Sequence, residues 1–292
     1  MSYFEASART RIRYLVDAGT FEEFCPPEMR QTSPHLALLN APLSFDDGVA
    51  VGRARLSGHS ILIAAQEGRF NGGSVGEVHG AKIRGLLDRA LTERPSAVLL
   101  LIDSGGVRLH EANAGLIAIS EIMRALLSVQ AIGIPVFALV GGSCGAFGGM
   151  GIVTRLCNEV IMSEQGRLSL SGPEVIETVK GVEEFDSRDR ALVWRVTGGK
   201  LRRALGDATR LVEDSILAFR NAAAELMESY RVHSLPVKSL ADLLADQERL
   251  ACRSMQFSNA RDGQEVWDAT LSDSTRVPEL SSEEFNQRLL ER

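Results

Sequence analysis

From about Val49 the apolar residues of this 292-residue chain fall into two alternating rhythms. Short continuous runs read as buried strands, and apolar positions recurring every three or four residues read as amphipathic helices. "VAVGRARLSG" and "ILIAAQEG" predict consecutive strands joined through Ser57-Gly58-His59. A helix follows from Val75 to Glu93, burying Val78, Ile83, Leu86, Leu87 and Leu91. The run at 97–102 predicts a strand, and 113–131 predicts a helix carrying Leu116, Ile119, Ile122, Met123, Leu126 and Leu127. Pro135 to Val140 predicts another strand. Beyond it, "NEVIM" and "GRLSL" read as short strands, and "SGPEVIETV" reads as a helix start with Pro173 in its first turn. Residues 187–197, 208–231 and 238–254 read as helices. Ahead of this pattern, residues 6–18 suggest an amphipathic helix with Ile12, Leu15 and Val16 on one face. "FCPPEMRQTSPHLALLNAPLS" is loop-like, broken by four prolines. The tail from about Ser258 is polar and weakly periodic. Strand, glycine-rich turn and helix recur, which predicts an α/β fold with parallel strands. The expected division is an N-terminal helix and loop (1–45), a core (46–235), and a C-terminal helix and tail (236–292).

Composition narrows the function classes. Hydrophobic residues are 45% and charged residues 24%, as in an ordinary soluble domain. A net charge of -6 argues against a nucleic-acid partner, which would demand a basic surface. Cys25, Cys144, Cys157 and Cys252 form no CxxC pair, so no zinc ribbon or redox dithiol is expected. They fit reduced thiols in a cytoplasmic protein. "MSYFEASARTRIRYLVDAG" lacks the apolar core of a secretory signal. No stretch is expected to approach the length of a membrane span. The expectation is therefore a cytoplasmic chain with no metal, no nucleic acid and no membrane.

Candidate chemistry gathers at three glycine-rich sites: Gly72-Gly73-Ser74-Val75-Gly76, Gly105-Gly106, and residues 141–151. Each lies where a strand hands over to a helix. The plain reading is tight turns. A phosphate cradle is a second reading, without a GxxxxGK[ST] to support it. The third is a pair of backbone amides aimed at an oxygen that gains negative charge, such as that of a thioester enolate. On that reading Gly105, Gly106 and Val107 would supply a turn amide, and Gly148 and Gly149 a helix-terminus amide. Gly72 and Gly73 are candidate substrate contacts. Arg108 would contact a ligand phosphate or carboxylate, or else pair internally with Glu111. His110 and Glu111 would relay a proton, or else stabilise the loop. His59 and His79 read as structural. Arg188, Asp189, Arg190 and Arg195 read as a solvated face or subunit contact, and Trp194 as core or interface. A rival is the GxSxG of Gly141-Gly142-Ser143-Cys144-Gly145, with Ser143 as nucleophile and His233 in order behind it. Against it, Gly145, Gly148 and Gly149 delay the helix that should start just after the serine. A non-catalytic subunit, in which glycines only shape turns, is the third class.

The motifs also carry a resemblance. "SGGVRLHEANAGL" resembles the S-G-G-[AV]-R-[ML]-x-E segment of the carboxyltransferase β subunit of acetyl-CoA carboxylase. In the same order, "GGSVGEVHGAKI", "GIPVFALVGGSCGAFGGMG" and "LSLSGPEVIE" are similar to further segments of that family, covering about residues 68–180. The four-cysteine zinc ribbon of the carboxylase subunit has no counterpart here. "VKGVEEFDSRDRALVWRVTGGKLR" and "EASARTRIRYLVDAGTFEEF" look like the β subunit of biotin-independent malonate decarboxylase. The resemblance implies a crotonase-like ββα spiral core with helical N- and C-terminal extensions. It implies decarboxylation of a malonyl thioester, by oxyanion-hole stabilisation of the enolate. The implied partners are a related γ subunit in a heterodimer, an acyl-carrier protein and a carrier transferase subunit. No cofactor is implied on this chain itself; a CoA-derived prosthetic arm would ride on the carrier protein. The alternative within the family is a carboxyltransferase that passes the carboxyl group to biotin.

Overall fold

The computed structural model describes residues 1–38, 40, 47–233, 239–271 and 273–290. The chain runs through α1 (Ala8–Leu15), β1 (Glu22–Phe24), α2 (Pro34–Leu38), β2 (Val49–Leu56), β3 (His59–Gln66), α3 (Glu77–Glu93), β4 (Ala97–Ile102), α4 (Ala114–Ala131) and β5 (Val136–Val140). It continues through α5 (Gly149–Leu156), β6 (Glu159–Ser163), α6 (Pro173–Lys180), α7 (Arg190–Thr197), α8 (Gly199–Ala204), β7 (Arg210–Val212), α9 (Ile216–Val232), α10 (Leu240–Gln256), α11 (Gly263–Thr270) and α12 (Ser282–Leu290). The expected borders at 45/46 and 235/236, and residue 238 at the start of the predicted C-terminal helix, lie outside the described residues.

The seven strands form one sheet in chain order, β1 through β7. β1, β2 and β3 pair antiparallel, and β3 through β7 pair parallel. Ser57 and Gly58, both at positive φ, make the two-residue turn between β2 and β3. The central strands alternate strictly. Val98, Leu100 and Ile102 face α3, α4 and α5, while Ala97, Leu99 and Leu101 face α1 and α9. Both faces are covered, which is why these strands read as unbroken apolar runs. Each fully buried leucine contributes about 1.5–3 kcal/mol.

Past the strand ends the chain makes single-residue parallel bridges, Val75 to Val107, Ser104 to Ala146, and Ala146 to Leu168. They link the turns that follow successive parallel strands. "GRLSL" belongs here. It is an irregular stretch with bridges at Arg167 and Leu168, and the expected strand is corrected accordingly. Its backbone reaches sideways, from Ala146 to Thr197, so no ladder extends. The expected helix over 208–231 is likewise corrected. Leu211 completes β7 against β6, and the helix starts only at Ile216. The weakly periodic tail folds into α11 and α12. A few large residues, Val266, Trp267 and Phe285, pack on Leu201 and Leu211. α4 is the one helix among the described residues long and apolar enough to cross a membrane, which corrects the expectation from the sequence. It packs against α3, with Ile122 and Leu126 in the core, and carries Glu121 and Arg124 on its outside.

Candidate active site

Two turns at the carboxyl ends of β4 and β5 touch. The first runs Asp103-Ser104-Gly105-Gly106-Val107, and the second ends at Gly148, the residue before α5. Gly106 (φ 145°) and Gly148 (φ 58°) both occupy backbone space that favours glycine. A Cβ placed on Gly148 would lie 3.5 Å from the Gly106 Cα. The Ser104 N–H donates to Gly145 O (2.6 Å), and the Phe147 N–H donates to Ser104 O (3.0 Å), so the turns are zipped together.

The amides divide into engaged and open ones. The Gly105 N–H donates to Gly72 O (2.8 Å), and the Gly148 N–H donates to Leu170 O (2.9 Å). Neither is available to a ligand, which corrects two of the expected donors. The Gly106 N–H reaches only the Ser104 hydroxyl, at 3.3 Å. The Val107 and Gly149 N–H groups make no hydrogen bond among the described residues. Val107 sits on the first turn, and Gly149 opens α5, where the helix dipole adds positive potential. The site thus offers two amides from two different turns.

Arg108 and Glu111, expected as ligand contacts, point into the protein. Arg108 Nε donates to Ser74 O (3.0 Å), one terminal nitrogen pairs with Glu111 Oε1 (3.0 Å), and the other donates to Asp47 O. The second Glu111 oxygen accepts the Glu77 N–H at 2.6 Å. Every charged atom of the pair is spent on the loop, which corrects the substrate-binding assignment of both. Glu111 is also lost as a proton relay; His110 stays half-exposed beside it. Gly73 packs so closely on the Asp103 carbonyl that any Cβ would collide, and Gly72 holds the Gly105 amide. Both shape the turn.

Among the described residues, no histidine or carboxylate hydrogen-bonds to the Ser143 hydroxyl. His233 caps the end of α9, near Tyr230, whose hydroxyl donates to Glu159 at the start of β6. Ser143 lies beyond the opposite end of the neighbouring strand, β5. Burial raises the Cys144 thiol pKa, and its Sγ donates to Gly68 O (3.3 Å). The hydrolase reading therefore has no triad.

Two buried groups lie behind the turns: the Arg11–Asp103 pair, which escaped the sequence reading, and His79, which it read as structural. Arg11 and Asp103 form an ion pair (2.8 Å) with both side chains 2% exposed. His79 donates from Nδ1 to Asp47 O (2.9 Å) and accepts at Nε2 from Gln66. Burial, with Arg108 and Lys82 nearby, lowers its pKa to about 3, so it is neutral. A residue's burial in a helix such as "ARTRIRYL" is visible only as Arg11 sharing the face of Ala8, Ile12 and Leu15. Ser143, Gln165, Arg167, Arg188, Arg190 and Trp194 line a cleft of about 550 Å³ that meets the β5 turn at Ser143. The arginines expected on a solvated face thus give this cleft a basic wall.

Comparisons with known proteins fit this geometry. The carboxyl transferase domain family matches residues 5–193. The chain is 39% identical, over 91% of its length and 88% of the relative's, to a malonyl-S-ACP:biotin-protein carboxyltransferase of Malonomonas rubra. It is similar to a chain of a Pseudomonas malonate decarboxylase hetero-tetramer solved with malonate, with 41% identity and a TM-score of 0.77 over 85% of this chain and 90% of that one. A chain of the Pseudomonas malonate decarboxylase hetero-dimer matches at 36% identity and a TM-score of 0.68, over 86% and 96%.

Proposed function

This chain belongs to the carboxyl transferase domain family, and on that premise we propose that it is the catalytic β subunit of a malonate decarboxylase, converting a malonyl thioester to an acetyl thioester and CO2. The observation that carries this reading is the pair of open amides, Val107 and Gly149, on two turns in contact. In decarboxylation the bond between the carboxylate and the α-carbon breaks. CO2 leaves, and the electron pair moves into the thioester carbonyl as an enolate. No general base is needed. The barrier falls if the amides bind the enolate oxygen better than the neutral carbonyl. The α-carbon then takes a proton.

The substrate would arrive on the CoA-derived arm of an acyl-carrier protein, and the basic wall of Arg167, Arg188 and Arg190 suits the phosphate of such an arm. A related γ subunit would close the site in a cytoplasmic complex, with a transferase subunit loading the carrier. The Malonomonas rubra relative's name supports a second reading, transfer of the carboxyl group to biotin. One assay separates them. The chain is co-expressed with its γ subunit and given malonyl carrier protein with and without a biotin carrier domain. The decarboxylase reading expects CO2 release at the same rate in both. Turnover only with the biotin domain, yielding carboxybiotin, would select the transferase.

A further inference from the structure

The Asp103 carboxylate sits at the root of both turns. It is the first residue after β4, and its side chain is 2% exposed. Its Oδ1 accepts the Cys144 N–H at 2.6 Å, and its Oδ2 accepts from Arg11 at 2.8 Å. The backbone encloses it: a Cβ on either Gly68 or Gly142 would collide with the carboxylate. Arg11 in turn donates to the carbonyls of Tyr3 (2.9 Å) and Phe4 (3.3 Å), and stacks over the Tyr3 ring at 4.7 Å. The N-terminal segment thus anchors the guanidinium, the guanidinium anchors the carboxylate, and the carboxylate anchors the β5 turn.

From Asp103 the chain runs four residues to Val107, and from Cys144 it runs five to Gly149. The bond between Asp103 and Cys144 therefore fixes the relative position of the two open amides at their base. The charge arithmetic also matters. A lone carboxylate beside an enolate site would oppose the developing negative charge. Paired with Arg11 it has no net charge, so it positions without repelling.

We propose that Asp103, held by Arg11, is a positioning residue that sets the spacing of the Val107 and Gly149 amides through the Cys144 N–H. This rests on the reading of those amides as enolate donors. The site needs an acceptor facing Cys144 and a second facing Arg11, which a carboxylate supplies. An asparagine has one oxygen. Arg11, being charged, would take it, and the NH2 would turn against the Cys144 N–H.

The test uses the complex with the γ subunit and reads kcat, KM and thermal unfolding together. Asp103→Asn should lower kcat about 100-fold, the loss expected for a displacement of about 1 Å, with KM changed less than about threefold. Adding Arg11→Met frees the asparagine oxygen for Cys144, so Arg11→Met/Asp103→Asn should recover most of that kcat. Arg11→Met/Asp103→Leu removes the charges but offers Cys144 no acceptor. It should stay slow even where its unfolding temperature equals that of the asparagine double variant. A purely structural pair predicts instead that kcat follows stability, so equal turnover of the two double variants at equal stability overturns the inference. If the leucine variant does not assemble, the asparagine pair decides: no recovery on adding Arg11→Met overturns it. Wild-type complex without malonyl-thioester turnover would sink the function itself; active wild type with Asp103→Asn unimpaired sinks only this inference.

Discussion

Gly148 has a conformation and a position that a single methyl would test. At φ 58° an alanine there is strained by about 1–3 kcal/mol, and its methyl would project toward Gly106, into the space between the turns. Gly148→Ala should lower kcat about 100-fold, the scale of one lost oxyanion donor. Gly58→Ala is the control, since it carries similar strain (φ 82°) with no atom within 4 Å of the added Cβ. It should lose comparable stability and keep its turnover. Equal kcat losses in the two variants would mean that the turn contact has no role in chemistry. The turn glycines were legible in the sequence because glycine pairs after apolar runs have few other uses. Which amides stay open was not, because that depends on Gly72 O and Leu170 O, brought up by segments distant in the chain. Nor was the Arg11–Asp103 pair, whose members stand 92 positions apart. Arg9 and Arg13 flank Arg11 with the same chemistry, yet both are exposed.

At the scale of elements, the loop after β4 is held from behind by α3. Arg108, Glu111 and the α3 N-terminus form one cluster, and His79 on α3 ties the same region to Gln66. His79 is neutral in the fold, with its pKa lowered from 6.5 to about 3. The unfolded chain therefore binds a proton first as pH falls. The stability that His79 contributes is complete above about pH 6.5 and is lost progressively between there and about pH 3. Between pH 7 and pH 5 this amounts to about 2 kcal/mol. Urea unfolding at the two pH values should show that loss in the wild type, and His79→Gln should lack most of it. An identical loss in the variant would place the acid sensitivity elsewhere. The parallel strands were legible because burial on both faces leaves only apolar residues. β7 and α12 were not. Their apolar positions are few, and they gain meaning only from the partners they find in Leu201, Val277 and β6.

For the whole molecule, the apolar surface left uncovered is concentrated on helices. α4 exposes Leu116, Ile117 and Leu127, and α10 buries none of its residues while exposing Leu240, Leu243, Leu244 and Met255. α9, by contrast, puts Phe219, Ala223 and Leu226 into this chain's own core. An obligate interface typically buries upwards of about 2,000 Å² and is rich in such side chains. The isolated chain should therefore elute above its monomer mass of 31.7 kDa or express poorly, and should gain malonyl-thioester turnover only with the γ subunit. A well-behaved monomer with full turnover would contradict the two-subunit site.

The central claim is that a backbone N–H, rather than any side chain, carries the chemistry. It is tested most directly by removing that one hydrogen-bond donor. Replacing Val107 with its α-hydroxy acid turns the amide into an ester, keeps the side chain and the Arg108 N–H bond to Val75 O, and leaves Gly106 O as a weaker, ester acceptor for the Val75 N–H. In the assembled complex, kcat for CO2 release should fall about 100-fold or more, with a much smaller change in KM. An ester variant that folds, assembles and turns over at the wild-type rate would contradict the account.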